Sequence, residues 1–482
     1  MPYSADWEQV RSTFQCIWGY SDFRSPQGEI VQSLLSKQDA LVVMPTGGGK
    51  SICFQLPALL QTGLTLVVSP LVALMENQVQ ELCDRRLPAA LLHSELPNQQ
   101  RRQILWALEQ QKLRLLYVSP ETLLSPPVWE RLCQPDLRIN GLILDEAHCL
   151  VQWGDTFRPA YRRLGAIRPA LLQTKPPGTQ IPIAAFTATA DPQAQQIIQS
   201  VLQLRDPQIF LASLYRPNLH LSVQTAWSPR GRKQRLLQLM RKRPGQAGLV
   251  YVRTRRDAEA LADELTQSGF KTAAYHAGLS PQERRSIEAA WIRGNMPFVV
   301  CTSAFGMGIN KPDVRWVIHF HAPLLLSEYV QEVGRAGRDG KPSEALTLIS
   351  EPTGWLDPAD RQRQTYFQSQ IHKQQQLAQQ LIRQLPPEGN ITTVSRTIKD
   401  SPIALSLLHS TGQLEWRDPF NYQIHPDKPT KTAPQTSATQ QMSRYLTHTT
   451  CRWQFLLSSF GFTEEAAQLN RCGHCDRCSR KP

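Results

Sequence analysis

Met44-Pro45-Thr46-Gly47-Gly48-Gly49-Lys50-Ser51 continues an apolar run that begins at Leu41. Leu41–Met44 reads as a buried parallel strand, and the glycines after it let backbone N–H groups close on phosphate oxygens before a helix opens at Lys50. Thr46, Gly47, Gly48 and Gly49 would cradle the phosphates, Lys50 would set a point charge on the outer ones, and Ser51 would offer its hydroxyl to Mg²⁺. A plain glycine turn is the competing reading, because the usual fingerprint has a glycine where this chain has Met44. A second apolar run, Gly141–Leu144, leads into Asp145-Glu146-Ala147-His148. Magnesium keeps most of its waters and wants a carboxylate nearby, which Asp145 supplies, and Glu146 is placed as the base for an attacking water. With both segments at strand ends, the two together specify a nucleoside-triphosphate motor.

Outward from these segments, strand-like runs recur at Leu41–Met44, Leu64–Ser69, Leu113–Ser119, Gly141–Leu144 and Ile181–Phe186. They resume after Tyr215-Arg216-Pro217-Asn218, at Gly248–Val252, Thr272–His276, Phe298–Thr302, Trp316–Phe320 and Ala345–Ile349. Helical or polar stretches separate them, which predicts an α/β fold with parallel sheets. The expectation is two tandem α/β domains, 1–212 and 213–354, with nucleotide held in the cleft of the pair. The second domain should bring cations to the phosphates. Gln331-Glu332-Val333-Gly334-Arg335-Ala336-Gly337-Arg338-Asp339-Gly340 offers Arg335 and Arg338 as candidate arginine fingers, with an exposed basic helix end as the alternative.

The 482 residues carry a formal net charge of +13 and a pI near 9.4, which points to a polyanionic partner, and 41% hydrophobic residues suffice for packed cores. No stretch approaches the roughly twenty apolar residues of a membrane span, and the N-terminus lacks the basic and apolar regions of a signal peptide. A cytosolic protein without membrane partners is expected. Cys16, Cys53, Cys83, Cys133, Cys149 and Cys301 are scattered and read as reduced thiols. Cys451 and the run Cys472-Gly473-His474-Cys475-Asp476-Arg477-Cys478 bring four thiolates within reach of a tetrahedral zinc site, with a redox role as the alternative. His474 reads as a group beside the ligands.

Beyond residue 355 the composition turns rich in glutamine, yet Leu377, Leu381, Ile382 and Leu385 keep helical spacing. A polar helix through Lys399, an apolar helix Ile403–His409 and two short strands, Gly412–Trp416 and Phe420–Ile424, predict a small winged-helix-like module at 355–425. Such a module either binds duplex DNA, through Arg396 and Lys399, or serves as a spacer or docking surface. Residues 426–441 read as a linker and 442–482 as the zinc-binding element.

Over residues 10–350 the chain resembles the RecQ family of DNA helicases, in helicase superfamily two. The likeness runs through Gly19-Tyr20-Ser21-Asp22-Phe23-Arg24-Ser25-Pro26-Gln27, Val68-Ser69-Pro70-Leu71, Tyr117-Val118-Ser119-Pro120-Glu121, Phe186-Thr187-Ala188-Thr189-Ala190 and Tyr275-His276-Ala277-Gly278-Leu279. It implies that Gln27 reads the adenine edge, that Tyr20 stacks on the base and that Arg24 holds a matching position, with Ser25-Pro26 where the family has Pro-Gly. Cys149 to Tyr161 resembles the aromatic-rich loop that couples single-stranded DNA to hydrolysis, so Trp153, Phe157 and Arg158 are DNA-binding candidates. Packing of Trp153 and Phe157 under the cleft is the alternative. Cys301 to Arg315 resembles the motif linking the second domain to nucleotide and DNA backbone. Tyr445, Cys451-Arg452, Phe460-Gly461 and Cys472–Cys478 resemble the family's zinc-binding element. The family's winged helix follows its zinc site, whereas here the module precedes it. With the chain ending at Pro482, a short member without the usual C-terminal extensions is expected.

The resemblance implies two RecA-like motor domains and an ATP-dependent DNA helicase using Mg²⁺ and carrying Zn²⁺. It implies 3′ to 5′ movement on single-stranded DNA and unwinding of tailed or forked duplexes in repair and recombination. The expected protein is a monomer, with single-strand-binding and recombination proteins as partners. A DNA-stimulated translocase or remodelling factor that does not unwind, and a non-enzymatic DNA-binding scaffold, are the alternatives.

Overall fold

The computed structural model describes residues 7–70, 72–152, 159–305, 309, 311–428 and 435–479. Its contacts divide the chain into two units, Met1–Ala212 with His372–Pro434 and Ser213–Ile371 with Gln435–Pro482.

The first unit is built on strands β1 (Ala40–Val43), β2 (Leu64–Val68), β3 (Ala89–Leu92), β4 (Leu115–Val118), β5 (Ile139–Leu144), β6 (Ile183–Thr187) and β7 (Gln208–Leu211). They form one sheet in the order β3-β4-β2-β5-β6-β1-β7, every neighbouring pair parallel. The central strands are predominantly apolar and buried along their whole length, as strands covered by helices on both faces must be. Only β6 separates β1 from β5, so the glycine loop and Asp145 leave the same sheet edge with one strand between them. At the opposite end, the buried Asp39 carboxylate accepts from Arg168 Nη1 at 2.6 and 2.8 Å. It also accepts from the backbone N–H groups of Ile183 at 2.8 Å and Arg205 at 2.7 Å, which ties the starts of β1 and β6 to the approach to β7.

The second unit repeats the plan with β8 (Leu219–Ala226), β9 (Gly248–Tyr251), β10 (Ala274–Tyr275), β11 (Phe298–Cys301), β12 (Trp316–His319) and β13 (Ser343–Ser350), in the parallel order β10-β11-β9-β12-β13-β8. Strand β8 is an edge, and an uncovered edge invites pairing with other chains. Here the C-terminal element covers it. Asp476 donates its N–H to Leu221 O at 2.9 Å and accepts from Val223 N at 3.1 Å, and Trp453 Nε1 donates to Leu219 O at 3.1 Å. Tyr445, Trp453, Leu456, Leu457 and Phe460 enter one apolar cluster with Leu219, Leu221 and Tyr329. The helix that carries Tyr445, Gln435–Thr447, starts inside the segment expected to be a linker.

Residues 372–428 pack on the first unit. Strands β14 (Glu388–Asn390), β15 (Leu414–Trp416) and β16 (Asn421–Ile424) form an antiparallel sheet in the order β14-β16-β15, beside helices Ile391–Thr397 and Ser401–Ser410. The sequence suggested two strands. The third, β14, is three residues of polar and glycine character, too short to show a period. Leu405, Leu408, Trp416 and Tyr422 share a core with Ala166 of the 3₁₀ helix Pro159–Ala166. The turn joining β15 to β16 is pinned to this unit: Phe420 meets Trp129 edge-on at 5.5 Å, and Arg163 Nη1 donates to Pro419 O at 3.2 Å. Among the described residues no helix is long and apolar enough to cross a membrane.

Candidate nucleotide site and zinc centre

The loop after β1 turns through Gly47 (φ 86°) and Gly49 (φ 80°), a left-handed conformation that costs little only for glycine, and helix Lys50–Leu60 opens directly after it. A Cβ on Gly49 would collide with Gln27 Nε2. Gln27 is buried and clamps the loop to the N-terminal segment: Nε2 donates to Gly48 O at 2.8 Å, and Oε1 accepts from Arg24 N at 3.0 Å. Tyr20 lies half exposed beside Phe14, and Arg24 is exposed. Thr46 and Ser51 are partly exposed at the two ends of the loop. The Lys50 ammonium is buried and makes no hydrogen bond among the described residues. A buried cation so placed calls for an anion, and a phosphate group supplies one.

Asp145 and Glu146 stand at the end of β5, both buried. Burial pushes the Asp145 carboxyl up to about 6, Glu146 adds to that, and Lys50 and Gln78 pull against it. A divalent cation would answer the same charge, so the pair fits Mg²⁺. Gln78 Nε2 lies 3.3 Å from Asp145 Oδ2. Glu146 adopts a left-handed backbone (φ 53°), and its Oε2 lies 3.2 Å from His148 Nδ1, which is itself 3.2 Å from Thr187 Oγ1 at the end of β6. The chain Glu146–His148–Thr187 therefore joins the DEAH segment to β6, the strand between β5 and β1. Nothing in the sequence marks Gln78, whereas Thr187 sits in a segment that carries the family resemblance.

In the second unit, Arg335 and Arg338 follow helix Leu326–Val333. Arg335 is buried against the Tyr251 hydroxyl, and Arg338 Nη1 donates to Ile309 O at 3.3 Å. Burial, with Arg335 and Arg216 nearby, lowers the Arg338 guanidinium to about 10. The turn between them depends on Gly337 (φ 59°), where a Cβ would strike Ser343 Oγ, and Gly337 O accepts from Asn218 Nδ2 at 2.8 Å and from Arg216 Nη2. Arg216 and Asn218 thus position the arginine turn, a role that pattern alone does not reveal. Glu332, one turn earlier, takes a paired contact from Arg253 at 2.9 and 3.1 Å and lies 2.9 Å from His319 Nε2. Trp153, Phe157 and Arg158 lie outside the described residues.

The sulfur atoms of Cys451, Cys472, Cys475 and Cys478 lie within 4.8 Å of one another, with Cys472 and Cys478 3.8 Å apart. Four thiolates at about 2.3 Å from a tetrahedral zinc ion stand about 3.8 Å from each other, so the set fits Zn²⁺. The backbone N–H groups of Cys472 and Arg452 point at Cys451 Sγ and Cys475 Sγ, both at 3.4 Å, and would stabilise thiolate charge. His474 is turned away, its Nδ1 donating to Cys472 O at 2.9 Å. Arg452 spans to Asp476 at 2.9 and 3.1 Å, linking the cysteine loop to the residue that covers β8.

Comparison with known proteins agrees with this architecture. The DEAD/DEAH box helicase family matches residues 24–197, the helicase conserved C-terminal domain matches 231–340, and the RecQ zinc-binding family matches 393–479. The solved structure of Mycobacterium smegmatis helicase Lhr bound to ssDNA and AMP-PNP superposes with a TM-score of 0.57 at 21% identity, covering 91% of this chain and 61% of that one. DEAD-box helicase Mss116 bound to ssRNA gives 0.58 at 17% identity, covering 71% and 73%. These two show the fold alone. In sequence, the probable ATP-dependent DNA helicase RecS of Bacillus subtilis is 40% identical, covering 70% of this chain and 66% of that protein. The ATP-dependent DNA helicase RecQ of Synechocystis sp. is 54% identical over 476 residues, 98% of this chain and 99% of that protein. With that identity end to end, on two parallel-sheet motor domains and a four-cysteine element, the chain belongs to the RecQ family of ATP-dependent DNA helicases.

Proposed function

We propose that this chain hydrolyses ATP to move 3′ to 5′ along single-stranded DNA and to separate tailed or forked duplexes in DNA repair and recombination. The observation that carries the reading is the buried, unbonded Lys50 ammonium one strand away from the Asp145–Glu146 pair. In this reading Thr46 to Gly49 and Lys50 hold the phosphates, and Ser51 and Asp145 hold Mg²⁺, which neutralises phosphate charge when bound. Glu146 takes the proton of the attacking water, oriented by His148. Tyr20, Arg24 and Gln27 receive the adenine, which asks Gln27 to exchange its bond to Gly48 O for the base edge. Arg335 and Arg338 complete the phosphate site, and Trp153, Phe157 and Arg158 engage the strand. The reading extends to a cytoplasmic monomer that meets single-strand-binding and recombination proteins.

The test is unwinding of a labelled duplex with a 3′ tail against a 5′-tailed control, with ATPase measured with and without single-stranded DNA. Unwinding of the 3′-tailed duplex alone supports the reading, and unwinding of the 5′-tailed substrate overturns its polarity. A second reading, a DNA-stimulated translocase that does not part strands, is favoured by one feature. The β15–β16 turn is pinned through Phe420 and Pro419, so it does not project as a wedge. DNA-stimulated hydrolysis without unwinding would select that reading.

A further inference from the structure

Two exposed indoles at one corner of the second sheet have no part in the nucleotide site. Strands β8 and β13 run side by side with Ala226 paired to Ser350, so the segments that follow them leave the sheet together at its C-terminal end. Trp227, next after β8, is 64% exposed, and Trp355, in the loop after β13, is 86% exposed. Two indoles so open to water on neighbouring segments offer flat apolar faces that a planar partner can cover. The corner beneath them is firmly built. Arg232, fully buried, donates Nε and Nη2 to Asp357 Oδ2 at 2.9 and 2.7 Å, and Nη1 to Phe320 O and Leu348 O at 2.6 and 3.0 Å. The loop that carries Trp355 is therefore fastened to the helix that follows Trp227.

That helix, Pro229–Lys242, contains no acidic residue and exposes Arg230, Arg235, Arg241 and Lys242. A cavity of about 490 Å³ opens beside Trp227, lined also by Gln224, Arg235, Leu446 and Arg477. An indole face beside two guanidinium groups, without a carboxylate in the cavity lining, suits unpaired bases and their phosphates, because stacking accepts any base and arginine meets the backbone charge.

We infer that this corner is a second contact for single-stranded nucleic acid, in which Trp227 and Trp355 stack on unpaired bases and Arg235 and Arg477 take the phosphates beside them. The inference rests on the DNA reading above and adds to it a site at the β8 edge of the second sheet, beside the cysteine loop. A motor that grips its strand at more than one place on a unit loses less ground when one grip is released.

The experiment uses the full-length, zinc-loaded chain and a fluorescent oligo-dT at several salt concentrations, with Trp227→Ala, Trp355→Ala, Trp227→Phe and Arg235→Glu. Arg477 is left in place because it adjoins a zinc-site cysteine. Each Trp→Ala change should raise the Kd roughly 5- to 30-fold, with Trp227→Phe recovering most of the loss. Arg235→Glu should make the plot of log affinity against log salt shallower by about one unit. Unchanged Tm and zinc content show that the variants are folded. Kd values within twofold of the parent and an unaltered salt slope would overturn the inference, leaving the corner to an acidic protein partner. A parent that unwinds the 3′-tailed duplex in the same preparation separates that failure from failure of the helicase reading.

Discussion

The Lys50 ammonium is buried without a hydrogen bond among the described residues, and its attraction to Asp145 is set against the cost of taking both charges out of water, so it adds little to the stability of the nucleotide-free protein. Lys50→Ala should lower kcat for ATP hydrolysis by about 10²- to 10³-fold, while the Tm of the nucleotide-free protein stays level or rises. A fall of the apo Tm by several degrees would show that Lys50 is structural. Glu332 is the opposite case, a buried charge that is answered. Burial pushes its carboxyl up, but Arg253 and His319 outweigh that and hold it at about 2, below the 4.5 of a free glutamate. A depressed carboxyl stabilises the fold above pH 4.5 and loses that contribution as pH falls from 4.5 toward 2. Glu332→Gln, which removes the carboxylate paired with buried Arg253 and leaves it the more weakly coupled Glu328, should cost about 3 kcal/mol at pH 7 in denaturant unfolding, and the gap should close as pH drops. A gap that stays constant with pH would rule out the charge as its source. The two residues also differ in legibility. Lys50 announces itself by the glycines before it, whereas the partners of Glu332 come from the segment just after β9 and from the end of β12, and only the fold assembles them.

Elements were readable where burial is complete and unreadable where it is partial. Strands β1, β2, β4, β5 and β6 are buried along their length and mostly apolar because helices cover both faces, and so they stand out as runs, with Asn140 near the start of β5 left outside its run. Strands β3 and β7 are sheet edges whose short apolar runs, Ala89–Leu92 and Ile209–Leu211, are partly exposed and too short to stand out, and β8 alternates buried with half-buried positions and forms no continuous run. The cysteine loop was legible from spacing, but its attachment was not. Asp476 and Trp453 satisfy backbone groups of β8, and no pattern in either segment names the other. This attachment makes zinc a support for the second sheet as well as for its own loop. Stripping the metal with a strong chelator should therefore lower the calorimetric transition of the whole second unit and open residues 213–371 to protease. Structural zinc in small domains contributes on the order of 10 kcal/mol. An unchanged transition in protein shown by metal analysis to be free of zinc would confine its role to the loop.

At the scale of the molecule, each unit is discontinuous in sequence: the first takes back residues 372–434 and the second takes 435–482. A linear reading of domains cannot show this, because runs and motifs locate elements without saying which sheet a later segment returns to. The consequence reaches stability. Tyr445, Trp453, Leu456, Leu457 and Phe460 are all buried in the core of the second unit. At about 1.5–3 kcal/mol for each large apolar side chain, their burial amounts to on the order of 10 kcal/mol, comparable with the roughly 5–15 kcal/mol that separates a folded domain from its unfolded chain. A fragment ending at Gly354 keeps every nucleotide-site candidate, yet it uncovers the β8 edge and removes these side chains from the core. It should aggregate or melt without a cooperative transition, under conditions where full-length Lys50→Ala melts cooperatively without hydrolysing ATP. Differential scanning calorimetry of the two side by side decides the matter, since a cooperative fragment with a Tm near the parent's would mean that the motor domains stand without their C-terminal segments. Loss of the fragment's transition, with that of the Lys50 variant intact, would separate what this chain needs for folding from what it needs for turnover.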